Sequence, residues 1–269
     1  MSSTPSPNNQ DDELAGTEQP FMEHLIELRT RLIRAVLSIA VVAIALAIWP
    51  GANQLFDWLA WPLVSHLPNG EKMIAIGVIS PFMTPLKVLL MTALVIALPV
   101  VLYQVWAFVA PGLYRSEKRL VLPLVISSTL LFFLGMAFCY FFVFGKVFTF
   151  ILHFAPQSIT YAPDIDQYLS FALTLFLAFG IAFEVPIVVV VLVSLGVVSV
   201  EKLKEVRGYV IVSSFIVAAI VTPPDVISQL LLAIPMCLLY EIGIWVSKLA
   251  RTKSVDGQGA PERSEKESA

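Results

Sequence analysis

The 269-residue chain is 58% hydrophobic and only 14% charged, against about 25% charged in an ordinary soluble domain. That balance excludes a solvated globular domain. The net charge of -3, carried on so few residues, points to no nucleic-acid partner, so the placement of the charges carries the information.

In chain order, residues 1–20 are polar and acidic with no apolar core. They read as a disordered cytoplasmic tail rather than a cleavable signal peptide. Phe21, Leu25, Leu28 and Leu32 then recur at helical spacing, and Glu27 can pair with Arg31 four residues on. A short amphipathic helix along the headgroups, turning into the membrane, is expected there; its charges read equally well as solvated anchors. Six apolar runs follow. A helix rises ~1.5 Å per residue and a bilayer core is ~30 Å thick, so about 20 apolar residues span it. The expected spans are 32–49, 86–110, 120–144, 168–195, 208–221 and 226–247. The fold class is therefore an all-α integral membrane protein with a membrane domain over 21–249 and a second disordered tail over 250–269.

The loop 50–85 holds a helical pattern with Trp58 and Trp61, which suit the interface, and reads as an ordered cap. The loop 145–167, with Pro156, Pro163, Asp164 and Asp166, reads as a turn region. Residues 222–225 (TPPD) force a tight hairpin. The fifth run is short, about 20 Å of helix, which implies a locally thinned bilayer. Pro99, Pro123, Pro186 and Pro235 interrupt spans and predict kinks. Kinked, uneven helices favour a curved, concave arrangement over a straight bundle.

Counting the segment before the first span as one side and alternating, 14 Lys and Arg fall on that side and 3 on the other. The positive-inside rule makes the richer side cytoplasmic, with both termini there. Lys87 and Lys146 sit at span ends, where they snorkel to phosphates. Cys139 and Cys237 lie inside apolar runs and read as packing residues. His24, His66 and His153 all lie outside the runs, and no HExxH is present. No metal, cofactor or enzymatic chemistry is expected.

Glu184 is the main anomaly, because an intramembrane carboxylate costs ~2.5–3.5 kcal/mol. It should face a wet cavity or a partner, or be protonated. Pro186 leaves the carbonyl of Ala182 open nearby. Gln229 and Glu241 lie in the last run, where either can hydrogen-bond a neighbouring helix. On the cytoplasmic face, Glu117 stands among Arg115, Lys118 and Arg119 and reads as locally paired; together with Glu27 it would also suit a paired-arginine ligand, because guanidinium matches carboxylate in bidentate geometry. On topology alone, a secondary transporter of a small solute using Glu184 is the alternative.

Five stretches, HLIELRTR (24–31), SPFMTPLKV (80–88), YQVWAFVAPGLYRSEKR (103–119), FGIAFEVP (179–186) and TPPDVISQLLLAIPMCLLYEIGI (222–244), resemble the TatC family in its order. TatC is the polytopic subunit of the twin-arginine protein translocase. The resemblance implies a receptor in the bacterial inner membrane for twin-arginine signal peptides of folded cargo. It also implies TatB-like and TatA-like single-span partners, several copies in one complex, and drive by the proton motive force. Carried over by motif, Glu27 and Glu117 would contact the signal arginines, supported by Arg29 and Phe108. Glu184 would be the intramembrane polar residue of the concave face. Asp225 would belong to the extracytoplasmic cap, and Thr222 and Gln229 would offer contacts to partner helices.

Overall fold

A computed structural model describes residues 9–64, 74–109, 121–147, 164–222 and 226–256, with side chains for 22–60 of the first range and 226–249 of the last. Within them the chain is helical; the one β feature is an isolated parallel bridge between Ile74 and Asp164.

Helix α1 runs unbroken over Asn9–Ile48. It starts inside the segment expected as a disordered tail, and it continues into the first span without the expected turn at the headgroups. Residues 21–48 contain no proline or glycine to break it. Gly51, at φ 92°, terminates it: the left-handed turn lets the Gly51 N–H reach the Leu46 carbonyl at 2.9 Å. The helical pattern of the first loop follows as α2, Ala52–Val64.

Helix α3 covers Ser80–Val109 and carries Pro85 and Pro99 inside it. Helix α4 covers Val121–Phe138, passes through a π turn at Cys139–Val143 and stays helical to Val147. Pro123 is the third described residue of α4. The fourth apolar run forms two helices, α5 over Ile165–Ala182 and α6 over Val185–Ser194. The break falls at Phe183 and Glu184, with Pro186 in the first turn of α6. A six-residue surface helix, α7 (Val200–Glu205), is capped by the Ser199 side chain. Helices α8 (Arg207–Val221) and α9 (Val226–Asp256) complete the chain. The last helix thus extends to Asp256, into the second expected tail; residues 257–269 lie outside the described ranges.

Among the described residues, five segments are long and apolar enough to cross a membrane: Met22–Ile48, Ser80–Val109, Val121–Val147, Ile165–Ser194 and Val226–Leu249. The fifth apolar run forms Arg207–Val221, a helix of only 15 residues, as the length of the run foretold. Helix α1 packs mainly on α3; α3 touches α2, α4 and α5; α6 packs on α9, and α9 on α8. Helices α1 and α8 therefore lie at opposite ends of a row. The largest buried cluster sits mid-row, where Cys139, Val143 and Val147 meet Phe176, Phe179 and Leu232.

Candidate functional site

Four side chains converge where the N-terminal part of α1 passes the C-terminal end of α3. His24 stacks on Phe108 with ring centroids 4.3 Å apart and planes at 16°. Three residues on, Glu27 presents Oε2 to His24 Nδ1 at 3.9 Å. One further turn on, Arg31 Nε donates to Glu27 Oε1 at 2.8 Å, and its Nη2 donates to the same oxygen. The helical repeat puts residues 24, 27, 28 and 31 on one stripe, so local sequence alone builds this row. The Glu27 side chain is 32% exposed and that of Arg31 22%. Glu27 is thus a reachable carboxylate already gripped by one guanidinium.

The structure therefore brings together Glu27 and Phe108, with His24 between them. Arg29 is exposed and about 200° round the helix from Glu27, on the other face. Glu117 and Asp225 lie outside the described residues. His24 went unread as a site residue although its i,i+3 spacing to Glu27 was available. Gln104, one turn before Phe108 on α3, was missed as well; a lone amide in an apolar run was the readable signal. It is 9% exposed, and its Oε1 has no hydrogen-bond partner among the described residues.

Glu184 sits at the α5–α6 break. Neither of its carboxylate oxygens has a hydrogen-bond partner among the described residues. Ser128 of α4 stands beside it without hydrogen-bonding geometry; its Oγ accepts from Trp106 Nε1 at 2.9 Å. At the far end, the Gln229 amide donates to the Phe215 carbonyl at 3.2 Å, and the buried Thr222 hydroxyl donates to the Ala218 carbonyl at 2.8 Å. Both polar groups are satisfied within the chain. Glu241 accepts from Arg207 at 2.7 Å, tying α8 to α9. Lys87 does not simply snorkel: its ammonium donates to Asp166 at 2.7 Å and to Ser170 at 3.2 Å, joining α3 to α5.

A family model described as Sec-independent protein translocase protein (TatC) matches residues 23–235. The chain belongs to the TatC family. The TatC protein of Halothiobacillus neapolitanus is 52% identical over 88% of this chain and 66% of its own length. That of Escherichia coli K12 is 49% identical over 86% of this chain and 88% of its own. A crystal structure described as the twin arginine translocase receptor TatC shares 41% identity and a TM-score of 0.74, covering 85% of this chain and 99% of that one. TatC proteins are membrane components of a protein translocase rather than enzymes. Membership in TatC does not favour a small-solute transporter. The Glu27 row lies within the stretch that the TatC family model matches.

Proposed function

We propose that this chain is the receptor and core subunit of a twin-arginine translocase, binding the paired arginines of folded cargo at Glu27 and Glu117. The observation that carries the reading is Glu27 itself. It is a partly exposed carboxylate that already binds a guanidinium, walled by a His24–Phe108 stack that suits the flat face of a second one. The description of the related crystal structures as a receptor supports it. In this reading six spans, the fifth being the short Arg207–Val221, form a curved wall in the bacterial inner membrane with both termini cytoplasmic. Arg29 and Phe108 support the signal site, Glu184 faces the concave side, and Asp225 belongs to the outer cap. Thr222 and Gln229 meet TatA-like or TatB-like helices by exchanging their internal hydrogen bonds for intermolecular ones. Several copies assemble with these partners, and the proton motive force drives export.

A labelled twin-arginine peptide titrated against the protein in nanodiscs tests the site. A hydrogen bond to a charged group contributes ~1.5–3 kcal/mol, so Glu27→Gln should weaken binding by about 10- to 100-fold. Glu117→Arg should abolish it. Unchanged affinity in both variants would remove the acidic site.

A further inference from the structure

Deeper within the same site lie two side chains that the receptor reading leaves unused, Arg31 and Gln104. Arg31 occupies Glu27 Oε1 with two N–H groups, while Oε2 faces His24. A signal guanidinium that grips Glu27 through both oxygens must take Oε1 from Arg31. The side chain of Arg31 is only 22% exposed, so once displaced it needs an acceptor inside the protein.

The fold supplies one at the right depth. The His24–Phe108 stack fixes the register of α1 against α3. Ala35, eleven residues after His24, and Ala97, eleven before Phe108, are both buried, as antiparallel helices in that register require. Glu27 lies about 4.5 Å deeper than His24, and Gln104 about 6 Å deeper than Phe108 on the same stripe of α3. A helical side chain leans toward its own N-terminus, which brings the Arg31 guanidinium back to that level, against Glu27. One turn before Phe108 on α3, Gln104, whose side chain leans deeper by the same rule, is 9% exposed, with a carbonyl oxygen that has no partner among the described residues. Such orphaned acceptors are rare in folded proteins and call for a use.

We propose that Arg31 is a built-in placeholder for the signal guanidinium, held by Glu27 in the empty receptor and passed to the Gln104 carbonyl oxygen when cargo binds. The inference rests on the receptor reading and adds how its site is held while empty. It makes Arg31 a brake on weak ligands, because every ligand must first displace an ion pair.

The test is a double-mutant cycle on the full chain in nanodiscs, read by fluorescence anisotropy of a twin-arginine peptide, with Glu27→Gln as the reference. Partly exposed ion pairs are weak, so Arg31→Gln should bind the peptide about two- to fivefold tighter. Arg31→Lys, with the charge kept and fewer donors, should fall between. Gln104→Met should weaken binding in the parent and have no effect in the Arg31→Gln background. The guanidinium resonance of Arg31 in 15N-arginine-labelled protein should shift on peptide addition in the parent and shift differently in Gln104→Met. If Glu27→Gln binds as the parent does, the receptor reading falls and takes the placeholder with it. If Glu27→Gln weakens binding but Arg31→Gln does not tighten it, the placeholder alone is overturned. Equal effects of Gln104→Met in both backgrounds, or an unmoved Arg31 signal with peptide bound, overturn the transfer to Gln104.

Discussion

Glu184 holds two carboxylate oxygens within the Ile165–Ser194 span, and neither has a hydrogen-bond partner among the described residues. A structural glutamate would have a committed partner, as Glu241 has in Arg207. An orphaned buried polar group costs about 1–3 kcal/mol, so Glu184→Leu should stabilise the protein by that order while lowering transport of twin-arginine cargo into inverted membrane vesicles. Thermal unfolding in detergent and the transport assay together decide this. A variant both less stable and fully active would make Glu184 a structural residue. The position of Glu184 in an apolar run was plain in the sequence. That Ser128, which accepts from Trp106, stands beside it was not, since the three residues come from three different helices. The Glu27–Arg31 pair was legible because both partners lie on one helix. The stacking of His24 on Phe108 was not, because it depends on how α1 meets α3.

At the scale of the element, close approach of α4 and α5 rests on two glycines. A Cβ on Gly135 would meet the Phe179 carbonyl oxygen at 2.5 Å, and one on Gly180 would collide with the ring of Phe132. Small residues let helices in a membrane pack backbone to backbone. Gly135→Ala meets main chain, which cannot step aside, and should destabilise by about 1–3 kcal/mol. Gly180→Ala meets a side chain and should cost less. Melting temperatures of the two variants in one detergent would test the order, and a reversed ranking would refute the packing argument. The break between α5 and α6 was foreshadowed by Pro186, because proline forbids the helical bond four residues back. The π turn at Cys139–Val143 had no sequence marker. It belongs to the stretch that turns Cys139, Val143 and Val147 into the central core, which only packing could demand.

For the whole molecule, the row from α1 to α8 gives each apolar helix an outer face, and large side chains such as Val36, Phe141, Ile216 and Ile220 are exposed on it. Lipid is the solvent that such faces require. The charge bias predicts which side each connection faces. With Cys139 and Cys237 replaced, a single cysteine at Ile76 should react in intact cells with a membrane-impermeant maleimide. One at Lys202 should react only after permeabilisation; the opposite pattern would invert the topology. The sequence by itself determined the membrane class, the apolar runs, the short fifth run and the family, because hydrophobic length and local motifs are written residue by residue. It also marked Glu27 and Glu184 as costly or reactive acids. The tertiary structure decided which groups meet: Phe108 with His24, Lys87 with Asp166, and Gln229 with the Phe215 carbonyl; among the described residues it leaves Gln104 Oε1 without a hydrogen-bond partner. Such pairings join helices distant in the chain, and they follow from the register in which the helices pack.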